Sequence, residues 1–98
     1  MEIIEVNAFS EQVLEALNQL LPQLSASVRS MTENELRTLI KAESSHLFMA
    51  VHHGRFAGSM TLVIVHLPTG IRARIEDVVV DHSARGKGMG ERLVSHAI

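Results

Sequence analysis

The segment Arg85-Gly86-Lys87-Gly88-Met89-Gly90 places two cationic side chains and three glycines within six residues. An apolar run of Val78, Val79 and Val80 precedes it. From Gly88 onward apolar residues recur at helical spacing, with Met89, Leu93 and Ala97 on one stripe and Gly90, Val94 and Ile98 beside it. A strand that feeds a glycine-rich turn and then a helix suits a phosphate ligand. The first amides of a helix have no partner within the helix and sit at the positive end of its dipole. Glycine removes the side chains that would hold a ligand away from the backbone. Such a turn binds phosphate or diphosphate, and Arg85 and Lys87 add positive charge beside it.

Spacing narrows the ligand. A nucleotide-binding Walker loop requires GxxxxGK[ST], and the sequence contains no such string. A dinucleotide fingerprint requires GxGxxG after the first strand of a βαβ unit; Gly86 and Gly88 fit its start, but Glu91 stands where the third glycine belongs. Taken alone, the six residues also fit a glycine-rich surface turn that caps a helix.

Other chemistry-bearing residues give weaker signals. The chain has six histidines and no cysteine. His52 and His53 are adjacent, so on a strand they point to opposite faces, and no pair has HExxH spacing. No metal site is expected. The missing cysteines exclude disulfides, thiolate ligands and a thiol nucleophile. Arg72, Arg74 and Glu76 alternate along one strand face, where Glu76 pairs with either arginine or the arginines favour an anionic substrate.

The elements that position these residues follow from periodicity. Residues 2–6 read as a strand. Ser10 is an N-cap for a helix whose stripe is Val13, Leu14, Leu17, Leu20, Leu21 and Leu24, and Pro22 is expected to end or kink it near Leu21. Residues 25–31 connect to a second helix that starts on the capping box Thr32-Glu33-Asn34-Glu35 and buries Leu36, Leu39 and Ile40. The run 47–51, a turn at 52–55 with Gly54 at positive φ, and a strand over 56–65 form a hairpin. Gly58 marks a bulge or a close backbone contact. A turn at Pro68-Thr69-Gly70 leads to a strand over 71–80, a polar loop over 81–87 and the last helix. The order is β-α-α-β-β-β-α, a mixed α/β fold of α+β character, in one domain over 1–98. The last helix reaches Ile98 without a glycine, proline or polar cap, so the domain is expected to be incomplete at its C-terminus.

Composition sets outer limits. A hydrophobic fraction of 46% over 98 residues supports a packed core, and a formal net charge of −2 gives no general attraction to nucleic acid or an anionic membrane. Tyr and Trp are absent, which disfavours stacking on bases. There is no secretory leader pattern and no apolar run long enough to span a membrane. A cytoplasmic protein is expected.

Arg85-Gly86-Lys87-Gly88-Met89-Gly90 matches the [QR]-x-x-G-x-[GA] pattern of the GNAT N-acetyltransferases. Ile75-Glu76-Asp77 ahead of the valines, the element order, and Gly54 followed by Gly58 also resemble small members of that superfamily, across essentially the whole chain. The resemblance implies a largely antiparallel sheet flanked by helices, lacking the family's C-terminal strands and helix. It implies acetyl-CoA as cosubstrate, with the diphosphate on Arg85, Gly86, Lys87, Gly88, Met89, Gly90 and Glu91. The pantetheine arm would pair with the backbone of Val78, Val79 and Val80. It further implies N-acetylation of a primary amine by direct transfer in a ternary complex, with Glu76 as general base through water. Many members supply a Tyr to protonate the thiolate, from a helix beyond the elements read here, and this chain has no Tyr. The alternative is a non-catalytic acyl-CoA-binding or interaction module on the same fold. The unpaired edge of the 71–80 strand would favour a homodimer.

Overall fold

The computed structural model describes residues 1–97; the expected position of Ile98 on the final stripe lies outside the described residues. Ser10 is extended, and its hydroxyl accepts the Val13 amide at 3.4 Å, which starts α1 (Glu11–Leu24). The leucine stripe then buries Val13, Leu17 and Leu20. Pro22 does not end this helix, contrary to the sequence expectation. It falls in the last turn, where a missing N–H costs one bond, and the Ser25 amide closes that turn on the Leu21 carbonyl at 3.2 Å.

α2 (Glu33–Lys41) opens on the expected capping box: Thr32 Oγ1 accepts the Glu35 amide at 3.2 Å and Glu35 accepts the Thr32 amide at 3.0 Å. The Thr32 amide first, then the Thr32 hydroxyl, with help from Arg29, draw the Glu35 carboxyl below its usual value. Leu36 is the fully buried anchor of α2.

Four strands follow one another in the sheet order β1-β2-β3-β4, every pair antiparallel: β1 (Glu2–Glu5), β2 (Ser45–His52), β3 (Arg55–Leu67) and β4 (Gly70–Val80). The β2–β3 turn has His53 at φ 52° and Gly54 at φ 73°. Two central residues at positive φ make the tight hairpin turn whose twist suits antiparallel strands. The apolar run in β2 is covered on both faces. Leu47 and Met49 pack with α1 and α2, while Phe48 and Ala50 pack with Met60, Met89 and Leu93 on the other side. A strand buried on both sides loses the polar alternation of a half-exposed one, which explains why the sequence shows a continuous run there.

α3 (Met89–Ala97) covers the second face through Met89 and Leu93. Gly58 lets it approach: a Cβ there would meet Leu93 Cδ1 and the Val79 carbonyl oxygen, each at 3.2 Å. The ladder also shifts register here, since Ala50 opposes Gly58 and Val51 opposes Phe56, leaving Ala57 as an extra residue. Both sequence readings of Gly58, bulge and close contact, therefore apply. No described helix is long and apolar enough to cross a membrane.

Candidate acyl-CoA site

β4 carries the second irregularity, and it decides which side chains share a face. Thr61 opposes Glu76 and Ser59 opposes Val79, so two residues of β3 span three of β4. The extra residue falls at Asp77–Val78, and Asp77 sits at φ 52°, in the left-handed region that Asp tolerates better than most residues. Simple alternation would keep Val78 and Val80 on the face of Glu76 and put Val79 on the opposite one. The bulge resets it: Glu76 and Val79 share the α1 side although three residues apart. Val78 and Val80 turn to the α3 side.

Glu76 is half-buried. Arg74, on the same face, reaches its Oε1 through Nη2 at 3.2 Å. The pair is exposed at Arg74 and half-exposed at Glu76, where such contacts contribute little. Arg72 is exposed on the same face. On the side of β4 away from β3 no described strand pairs with it.

Beyond Val80 the chain turns through a short 3-10 helix (His82–Ala84) into the glycine loop. Its start is fastened heavily. The Asp81 amide bonds the Ala57 carbonyl at 2.8 Å, and the Asp81 carboxylate accepts from the Ser83 amide at 3.1 Å and from the Ser83 hydroxyl. From α1, Gln23 donates to Asp81 Oδ1 at 2.9 Å and accepts the His82 amide at 3.0 Å. Gln23 first, then Ser83, hold the Asp81 carboxyl at about 2, below its ordinary 3.8. A depressed folded-state value means that the stabilisation is complete above the unfolded value and vanishes as pH falls through the folded one. In urea titrations the stability advantage of wild type over Asp81→Asn is therefore expected to shrink between about pH 4 and pH 2. A constant difference would contradict these bonds.

Gly86 and Gly88 take φ 82° and 74°, and a Cβ at either would meet nothing within 4 Å. These glycines are needed for conformation, and open space lies in front of them. The first helical bond of α3 runs from the Arg92 amide to the Gly88 carbonyl at 3.1 Å. Among the described residues no acceptor meets the amides of Gly86, Lys87, Gly88, Met89, Gly90 and Glu91. Met89 offers only its backbone, because its side chain is core. Gly90 differs from the other two glycines: its φ is not positive, and a Cβ there would touch Val80 Cγ2 at 3.8 Å. Arg85 turns back to donate Nε to the Val80 carbonyl at 3.0 Å, so it ties loop to strand.

Behind the loop a cleft of about 130 Å³ is bounded by His52, His53, Arg55, Asp81, Ser83 and Lys87. Partial desolvation, then the charges of His53, Lys87 and the amino terminus, push His52 below the usual imidazole value. Among the described residues no group of three His, Cys, Asp or Glu is placed to hold a metal.

The structure thus brings Val78, Val79, Val80 and the 85–91 segment together at one end of β4, with Glu76 on the same strand beyond the bulge. Sequence reasoning missed Gln23, which lies 58 residues from Asp81. It also missed Asn18, whose amide accepts the Met31 amide at 2.7 Å and donates to the Met31 carbonyl at 3.0 Å, pinning the 25–31 connector. Neither has a local sequence signal; each is an ordinary exposed-type residue of an amphipathic helix.

The fold has close counterparts among solved structures. A protein from Agrobacterium tumefaciens assigned as an acetyltransferase superposes with a TM-score of 0.86 at 25% identity, over 99% of this chain and 70% of that one. A Trypanosoma brucei acetyltransferase gives 0.76 at 28% identity, over 97% and 70%. Glucosamine-6-phosphate N-acetyltransferase from Arabidopsis thaliana gives 0.78 at 22% identity, over 98% and 71%, a likeness of fold alone. No curated protein matches the chain. The sequence model of the Acetyltransferase (GNAT) family matches residues 11–98, nearly the whole length. On that match and this fold, the chain belongs to the GNAT acetyltransferase family.

Proposed function

We propose that the chain works in the cytoplasm, transferring the acetyl group of acetyl-CoA to a primary amine by direct attack in a ternary complex. The observation that carries this reading is the set of unbonded amides over residues 86–91 at the end of β4, with Gly86 and Gly88 in left-handed conformation and open space before them. Backbone N–H groups at a helix start grip a diphosphate, and the terminal guanidinium nitrogens of Arg85 add charge. The outer edge of β4 from Val78 to Val80 offers peptide groups to the pantetheine amides, those of Val80 foremost, because Val79 turns its own inward to Ser59. The Val80 carbonyl keeps one lone pair beside its bond from Arg85.

An alkylammonium with a pKa near ~10 has no free lone pair until it loses a proton. Glu76, through a water, takes that proton. The amine nitrogen then bonds the acetyl carbon, the C–S bond breaks, and the thiolate sulfur leaves with the electron pair and takes up the second proton, which the nitrogen sheds on becoming an amide. The weak pairing with Arg74 leaves Glu76 free to exchange partners when an ammonium arrives. Glu76→Gln is expected to lower kcat by about 10²-fold or more while acetyl-CoA affinity changes little. An unchanged kcat would remove Glu76 from the mechanism.

A second reading, a non-catalytic acyl-CoA-binding module, draws on the absence of Tyr from the chain and on the engagement of Glu76 by Arg74. Calorimetry with acetyl-CoA and thiol-release assays over a panel of amines separate the two. Absence of acetyl-CoA binding sinks both; binding without turnover on any amine leaves the second.

A further inference from the structure

We propose that Gln23 of α1 is a positioning residue for the diphosphate loop, holding its entrance in the ligand-ready conformation before acetyl-CoA arrives. This rests on the acetyl-CoA reading above, and its geometry stands independently of it.

All three polar functions of the Gln23 amide are used. Nε2 donates to Asp81 Oδ1 at 2.9 Å and to the Gln19 carbonyl at 3.2 Å, and Oε1 accepts the His82 amide at 3.0 Å. This fixes the orientation of the amide. Turned over, it would set its NH2 against the His82 N–H and its oxygen against the Asp81 carboxylate. The partners are two consecutive residues of the loop entrance, and the Gln19 bond anchors the side chain to its own helix. A glutamine so engaged is a rigid strut between α1 and the loop. One bond goes to a carboxylate, the stronger kind of hydrogen bond. No other described side chain of α1 hydrogen-bonds the 81–91 segment.

The strut matters because the loop beyond it is sparsely held. After the Arg85 amide reaches the His82 carbonyl at 3.4 Å, the amides over 86–91 meet no acceptor among the described residues. Two of those residues are glycines at positive φ, the residue type with most conformational freedom to lose. Ligand binding must then supply whatever ordering the protein has not already supplied. Fixing Asp81 and His82 sets the direction in which the 3-10 turn, and hence the free amides, leave the sheet. Pro22 lies immediately before Gln23 in the helix, and its fixed φ stiffens the base from which the strut projects.

The test uses Gln23→Ala and Gln23→Glu in the intact chain, with acetyl-CoA titrated by calorimetry and the fold checked by circular dichroism and thermal melting. Gln23→Ala is expected to bind about tenfold more weakly, the equivalent of one charge-assisted hydrogen bond. Gln23→Glu sets a second carboxyl against Asp81, with His82 the other titratable group beside it. Its deficit should be larger near about pH 7.5 and should diminish toward about pH 5, where one proton shared between two carboxyls restores a donor and an acceptor. A packing role alone would not produce that pH dependence.

Two readouts need no ligand. In Gln23→Ala the Asp81 carboxyl should titrate closer to the ordinary Asp value, and the Gly86 and Gly88 amide resonances should shift. Folded variants that bind like wild type at both pH values overturn the proposal. If wild type itself binds no acetyl-CoA, the functional reading fails instead. The strut is then judged by the resonances, and unmoved Asp81, Gly86 and Gly88 signals overturn it too.

Discussion

Gly88→Trp should reduce acetyl-CoA affinity by about 100-fold or more in calorimetry, a loss of roughly 2.7 kcal/mol. Two effects act together. The residue sits at φ 74°, where an L side chain is strained by roughly 1–2 kcal/mol. The indole would also fill the open space in front of the free amides, which is the space a diphosphate needs. Because a Cβ at this position meets nothing within 4 Å, no packed neighbour is displaced and the protein should still fold. Gly88→Ala separates the contributions, since it carries the conformational strain with almost no obstruction. Affinity equal to wild type in the Trp variant would remove the loop from the binding site.

Leu93→Ala should be the more damaging change to the fold. Leu93 is fully buried on α3 and lies over Gly58, where helix and sheet approach most closely. Truncation of a leucine in such a place costs about 2–5 kcal/mol, through lost transfer energy and the cavity left behind. For a chain of this size the melting temperature should fall by on the order of 10 °C or more. Acetyl-CoA binding should weaken in parallel, because α3 presents the first amides of the site. A melting temperature within about 3 °C of wild type would show that the α3 interface is not packed as described.

Much of this arrangement was legible in the residues. The element order, the Thr32–Glu35 capping box, the turn at Gly54 and the strand–loop–helix at Arg85 all carry local signals, because each depends on neighbours within a few positions. What stayed hidden depends on contacts across the chain. Pro22 looked like a helix stop, since its cost is local and the packing that outweighs it is not. Alternation puts Glu76 on the face of Arg72 and Arg74 and would carry Val78 and Val80 there too, whereas the bulge at Asp77–Val78 moves both valines to the other face. That was settled by pairing with Ser59 and Thr61 on a different strand. Gln23 and Asn18 gave no signal, since their partners are Asp81, His82 and Met31. Of the two arginines within reach of Glu76, the structure pairs it with Arg74. The sequence could not choose, because either arginine lies within side-chain reach on the same face.

The additional residue at Asp77 has a mechanical consequence for whatever adds to the outer side of β4. A bulge bends its strand and offsets the pairing beyond it by one residue, so a partner keeps a single register only on one side of it. A second copy in a homodimer, which we propose and which light scattering would detect as a doubled mass, can follow β4 in one register from Gly70 to Glu76. Beyond the bulge it meets Val78, Val79 and Val80 in a shifted register, as β3 does on the inner side. A short ligand confined to the valines would have no such offset to match.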